Sequence, residues 1–134
     1  MSDQPQARVT VVKEGVAIDA KQEIPYFVGV SARTTGASGI SMQRTVIPPG
    51  GMAKAHSHLG FESAIYILQG RVEMRYGPGL RESVINGPGE FIYIPANVPH
   101  QPRNLSDTEP AIAVVARNDA DDQEHVIPYD PASE

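Results

Sequence analysis

"HSHLGFESAIYILQG", residues 56–70, is the stretch on which the reading of this chain turns. It holds two histidines separated by one residue, a glutamate at 62, and an apolar run that ends at Gly70. In an extended strand, residues two apart point to the same side. His56 and His58 would therefore project together, and inside a barrel their imidazoles would reach one point. A metal site needs three or four such donors, with a position left open for chemistry. Glu62 offers a third donor, and His100 in "VPHQP" (98–102) a fourth. Each also has an ordinary reading. An H-x-H pair arises by chance, Glu62 alone is a solvated carboxylate, and His100 alone is a loop histidine bonded to backbone.

The surrounding sequence is cut into short pieces. "TTGASG", "PPGG", "GPG" (77–79) and "NGPG" (86–89) read as turns. Between turns lie stretches rich in β-branched and aromatic residues: 8–12, 39–47, 63–68, 71–76, 81–85, 90–94 and 111–117. Several alternate in the strand sense, with Val72, Met74 and Tyr76 on one face and Arg71, Glu73 and Arg75 on the other. No long apolar stripe of helical period is present. The pattern predicts an all-β sandwich or barrel, which also limits exposed strand edges.

Composition narrows the functions further. The 134 residues suit one domain, 1–134, with a motif-bearing core over about 40–117 and an acidic tail over 118–134. The absence of cysteine excludes disulfides, thiolate ligands and thiol nucleophiles, so any metal must be held by His, Asp or Glu. Net charge is −5, and six acids fall in the tail, which has no Lys or Arg. The other 117 residues carry 11 bases against 10 acids, with no basic stripe. Neither nucleic acid nor an anionic membrane is an expected partner. No run has the length of a membrane span, and the first ten residues lack the apolar stretch of a secretory signal, so a cytoplasmic location is expected. The first few residues and the tail are candidate loose ends, although Val126, Ile127 and Tyr129 could anchor the tail to the barrel or to a partner chain.

Two motifs in order resemble those of the cupins. In the first, Gly50 is followed by five residues, His56-Ser57-His58, three residues, Glu62 and eventually Gly70. In the second, Gly89 is followed by five residues, Pro95-Ala96-Asn97, two residues, His100, three residues and Asn104. Asn97 stands where the motif has glycine, a mild departure because both residues tolerate left-handed turns. The text "YILQG", "YIPANVPHQPRNLSDTEPA" and "ARND" is similar to small cupins of the sugar-epimerase-like barrel class. The resemblance implies an all-β cupin fold, a double-stranded β-helix or jelly-roll barrel with short terminal extensions. It implies metal ligands at His56, His58, Glu62 and His100, and one divalent transition metal per chain: Mn, Fe, Ni, Zn, Co or Cu.

One spacing departs from the motif. Seven residues, not six, separate Glu62 from Gly70. If Glu62 faces inward in an unbroken strand, so do Ala64, Tyr66 and Leu68. A slip of one would bring in Ser63, Ile65 and Ile67 instead. Two geometries follow. In the favoured one Glu62 ligates, and a bulge or the Gln69-Gly70 turn absorbs the extra residue. In the other, three histidines hold the metal and Glu62 stands behind them.

Other residues are candidates for the pocket. Tyr66 and Tyr93 could orient a ligand or donate a proton, or could be packing aromatics. Arg44 could clamp a substrate carboxylate if it points inward, and is a solvated charge if it does not. Arg33 and Arg103 have the same two readings. Phe61 and Phe91 read as packing residues, and His125 as a tail histidine more than a ligand. Asn104 is expected to tie a turn, Gly50, Gly70 and Gly89 to serve turns, and Pro95 and Pro99 to end strands.

The leading functional reading is a metal-dependent enzyme acting on a small organic molecule, of dioxygenase, lyase or isomerase type. The alternatives are a module that binds or senses a sugar or organic acid without turnover, and a metal-free isomerase or epimerase working through His and Tyr. A homodimer is expected, with apolar strand faces such as Ile65/Ile67 or Val114 in contact.

Overall fold

The computed structural model describes residues 7–134. Its strands are short because glycine and proline turns interrupt the chain every few residues, and they assemble into two antiparallel sheets. The first sheet contains β1 (Val16–Asp19), β2 (Pro25–Val30), β3 (Ser41–Ile47), β5 (Ser63–Gln69), β8 (Phe91–Ile94) and β10 (Ala111–Arg117), in the order β1-β2-β3-β10-β5-β8. The second contains β4 (His56–His58), β6 (Val72–Tyr76), β7 (Glu82–Asn86), β9 (His100–Asn104) and β11 (Val126–Pro128), in the order β11-β4-β9-β6-β7. The architecture is the all-β double-sheet barrel expected from the strand pattern.

Alternation decides what lies between the sheets. Ile47, Ile65, Ile67 and Val115 from the first sheet meet Val72 and Met74 from the second in one apolar core. Ile65 and Ile67 are therefore interior residues, which corrects their place as an outer contact face. Val114 does point outward, since it lies opposite Arg44 and Tyr66 rather than the core residues.

Two expectations fail locally, and one left open is decided. Residues 8–12 form no strand, and Val9 and Val11 are exposed, because no neighbouring strand supplies a ladder. Strands β1, β2, β9 and β11 arise where no strand was expected. β9 contains Pro102, yet pairs with β6 along its full length, so tertiary pairing overrides the local signal. The tail is anchored to its own barrel. β11 pairs with β4, Val126 is buried, and the Tyr129 hydroxyl accepts from the Gly79 N–H. The expected loose N-terminal end, residues 1–6, lies outside the described residues. Among those residues, no helix is long and apolar enough to cross a membrane.

Candidate metal centre

The two halves of the site meet because β4 lies beside β9. His56 and His100 are direct partners across that pair, and His58 follows two residues after His56 on the same inward side. All three imidazoles are buried. Their ring centroids lie 4.9 Å (His56–His58), 4.3 Å (His56–His100) and 5.3 Å (His58–His100) apart. One ligating atom from each falls within 4.8 Å of the others, so the three could hold a metal ion.

Backbone carbonyls set the tautomers. His56 Nδ1 donates to the Lys54 carbonyl at 2.7 Å, and His100 Nδ1 donates to the Val98 carbonyl at 2.9 Å. A carbonyl can only accept, so in both rings Nδ1 carries the proton and Nε2 keeps a lone pair for a cation. Charge agrees with this. Burial, then the charges of Arg117, His56 and His100, hold His58 far below its ordinary pKa. Burial and then His56 push His100 down to about 3, although its bond to Val98 pulls the other way. Both rings are neutral at pH 7, the form that binds metals. The residues present fit a transition metal.

Neutral burial has a measurable cost in acid. Below pH 6.5 an unfolded chain takes protons on these histidines while the native one does not, so native stability rises with pH there. Metal-free protein is expected to lose about 1.4 kcal/mol per pH unit per histidine between pH 6.5 and the native pKa. Urea midpoints at pH 7, 6, 5 and 4 in chelator measure this, and substituting His58 should flatten the slope.

Glu62 is not part of the cluster. It is exposed and accepts a hydrogen bond from the Tyr93 hydroxyl on the outer surface. The structure has the other register, with Ser63, Ile65 and Ile67 inside and Ala64, Tyr66 and Leu68 outside. A register shift opposite Ile112/Ala113 does leave Leu68 as an extra residue, but at the far end of β5, where it leaves Glu62 outside. The inward position lies five residues after His58 and seven before Gly70, and Ser63 holds it. The structure brings the three histidines together and leaves Glu62, the favoured fourth ligand, on the outer surface and outside their cluster.

The other candidates separate in the same way. Tyr66 and Tyr93 lie on the outer face of the first sheet, Tyr66 with its ring 4.7 Å from Phe91. The Glu62 carboxylate raises the Tyr93 pKa through their hydrogen bond. Arg44 also points out and stacks 4.3 Å over the Phe27 ring. None of these three reaches the histidines, because strand alternation puts them on the opposite face. Arg33 sits in the short helix Ala32–Thr35, and Arg103 pairs with Glu73 at the surface. His125 binds Asp119 at 2.6 Å and packs on Phe61. Asn104 does tie backbone together, and Asn97 adopts φ 67°, the left-handed turn that its motif position requires.

Sequence reasoning missed Arg117. Its guanidinium is buried, donating from Nε to Ser63 Oγ at 2.7 Å and from Nη1 to the Tyr26 hydroxyl at 2.9 Å. The signal was the alternation of "AIAVVAR", which puts Arg117 in phase with the buried Ala111 and Val115. A cavity of about 60 Å³ lies within the barrel, bordered by His56, His100, Tyr26, Arg117, Gln22 and Thr45 at its polar parts.

Family comparison fits this arrangement. A family model described as "Cupin domain" matches residues 43–117, spanning both histidine motifs. The chain belongs to the cupin family. This cupin is 33% identical over 84 residues to germin-like protein subfamily T member 3 of Arabidopsis thaliana, covering 60% of the chain and 37% of that protein. Its fold is similar to that of the oxalate decarboxylase of Lactobacillus farciminis in a formate complex, with TM-score 0.70 and 20% identity over 84% of the chain and 32% of that protein. It is also similar to a double-stranded β-helix protein from Klebsiella pneumoniae, with TM-score 0.64 and 16% identity over 77% of the chain and 83% of that one. The two structural likenesses are of fold alone. The chain spans about a third of the length of the germin-like protein and of the decarboxylase.

Proposed function

We propose that this cupin is a metal-dependent enzyme acting on a small organic molecule inside the barrel, with His56, His58 and His100 holding one divalent transition metal ion. One observation carries the reading: three buried imidazoles converge, with ligating atoms within 4.8 Å of one another. The ion would supply Lewis acidity toward a substrate oxygen, or oxygen chemistry if it is redox-active. The chain's own residues keep the imidazoles neutral, orient two of them through backbone carbonyls, and exclude bulk water from the cavity.

Elemental analysis of the purified protein is expected to find about one transition metal ion per chain. No metal after reconstitution with Mn, Fe, Co, Ni, Cu or Zn would overturn the reading. A metabolite screen then looks for turnover, with oxygen uptake separating an oxygenase from a lyase or isomerase. Turnover that survives chelation would instead mean a metal-free isomerase. A ligand bound but never consumed would mean a sensing module.

We also propose a homodimer through the outer face of the first sheet. Phe91, Tyr66 and Val114 form one row across it, and Tyr93, Ala64, Ala116 and Met42 another. Phe91, Tyr93, Met42 and Leu68 are exposed, a larger apolar surface than isolated side chains explain. Light scattering should give twice the chain mass for the wild type and a smaller value for Phe91→Asp. A monomeric wild type contradicts it.

A further inference from the structure

The turn between β1 and β2 sends a glutamine into the barrel. Gln22 is 2% exposed and borders the cavity that His56 and His100 also border. Turn residues usually face water, and this one is drawn in at a cost. Glu23, the next residue, sits at φ 61°, a left-handed conformation that residues other than glycine and asparagine rarely adopt. The Gln22 carbonyl accepts from the Lys54 N–H at 2.7 Å, and the Lys54 carbonyl accepts from His56 Nδ1. The turn is thus tied to the segment that carries the first histidine.

The tail decides which end of the Gln22 amide is left over. The Lys21 backbone N–H can only donate, so the Gln123 atom that it meets at 2.7 Å is the oxygen. Gln123 then offers its Nε2–H, and the Gln22 atom that this group meets at 3.0 Å is again the oxygen. The Gln22 nitrogen remains. It is buried and has no hydrogen-bond partner among the described residues. Buried polar groups in native proteins are rarely left so, and such a group marks where a polar ligand or water belongs.

The cavity limits what that ligand is. Its volume is about 60 Å³, and one water needs about 10–15 Å³ by the same measure, so it takes a ligand of only a few non-hydrogen atoms. Ile24, Ile47, Ile67 and Met74 supply apolar walls. Arg117, the permanent charge at its border, already donates to Ser63 and Tyr26. A neutral N–H donor among apolar walls selects a ligand with an acceptor oxygen and an apolar body.

The geometry points to Gln22 as the group that binds the ligand's oxygen, with Gln123 as the positioning residue that leaves the Gln22 N–H free for it, and to a small neutral aliphatic carbonyl compound as the ligand. This rests on the enzyme reading for the ligand's fate, whereas binding itself is testable without metal.

The test uses the full chain, metal-free, with acetone as probe. Dimethyl sulfide, which has the same two methyl groups and no oxygen, is the counterpart. Side-chain amide signals are followed by ¹⁵N NMR, and Gln22→Met, an apolar replacement of similar volume, assigns the Gln22 pair by its absence. Cavity methyl signals read the affinities in the variants. Acetone is expected to shift the Gln22 amide saturably, and dimethyl sulfide to bind about tenfold more weakly, the scale of one net hydrogen bond. Gln22→Met should bring the two probes to equal affinity. Gln123→Glu keeps an acceptor for Lys21 and sets a second acceptor against Gln22, whose amide should then turn to donate outward. Acetone affinity should fall about tenfold in that variant while dimethyl sulfide is unchanged. A packing role for Gln123 would move both probes together. No saturable shift in the wild type, equal affinity for the two probes, or tighter binding of acetate than of acetone overturns the proposal whether or not any variant folds. Saturable acetone binding in a chain that takes up no Zn²⁺ supports the Gln22 site and sinks the metal reading. Zn²⁺ uptake with no acetone response does the reverse.

Discussion

His100→Ala is expected to lower Zn²⁺ affinity by at least about 100-fold. Structural zinc sites with four ligands bind with about 10–16 kcal/mol, or about 3 kcal/mol per ligand, and 1.4 kcal/mol is a factor of ten. With three histidines and no carboxylate in the cluster, the loss of one leaves two donors, fewer than a stable site requires. His100→Gln keeps more of the side-chain volume and should show nearly the same loss, which separates ligation from packing. Glu62→Gln is the companion measurement. Because Glu62 is exposed and bonded to Tyr93, its replacement should leave Zn²⁺ affinity within about threefold, the scale of effects from remote surface charges. Competition titration with a chromophoric chelator reads all three. A large loss in Glu62→Gln would restore the register that the structure excludes.

Asn104→Ala is expected to be the most destabilising single change outside the core. Its side-chain nitrogen reaches the carbonyls of Ile47 at 3.0 Å, Pro48 at 3.2 Å and Glu109 at 2.8 Å, and its oxygen accepts from the Ser106 N–H at 2.9 Å. One buried amide thus joins the end of β3, the end of β9 and the turn that leads into β10. Alanine leaves those backbone groups without their partner, at about 1–3 kcal/mol for each that water cannot reach. A total of about 3–5 kcal/mol places the substitution in the large tail of measured effects. For a chain of this size, that is a fall in Tm of roughly 10–20 °C. Asn104→Asp keeps the acceptor but sets a buried carboxylate against three carbonyl oxygens, so at pH 7 it should be at least as destabilising as alanine. Thermal unfolding followed by circular dichroism gives the ranking. Equal Tm values for Asn104→Ala and wild type would remove Asn104 from the fold's framework.

What the sequence disclosed followed from periodicity and spacing. β3, β5, β6, β7, β8 and β10 are legible as alternating apolar stretches between turns, and the histidines as residues two apart with a distant third. β9 was not legible, because "HQPRN" is polar and contains proline; its neighbour β6 imposes the strand. Residues 8–12 misled in the opposite sense, since β-branched residues form a strand only where another strand stands beside them. At the site, counting forward from His58 led to Glu62, whereas counting back seven from Gly70 leads to Ser63. The glycine is the better anchor. Gly70 has φ 90°, and a Cβ there would lie 2.9 Å from the Ala111 Cα, so its position is fixed by backbone contact. The His58–Ser63 connection is a loop that can gain a residue. Arg117 stayed hidden because a charged residue at a strand end reads as solvated until its register is known.

β4 makes the thinnest strand pairing of its sheet. It shares a single residue pair with β9, His56 with His100, whereas β6 and β9 share five. The rest of its pairing comes from β11 on the other edge. An ion held by His56, His58 and His100 would therefore rivet a seam that the backbone barely stitches, joining two segments 44 positions apart (100 − 56). Loading would stiffen the barrel as well as equip it, and the empty protein would breathe first along the seam between β4 and β9.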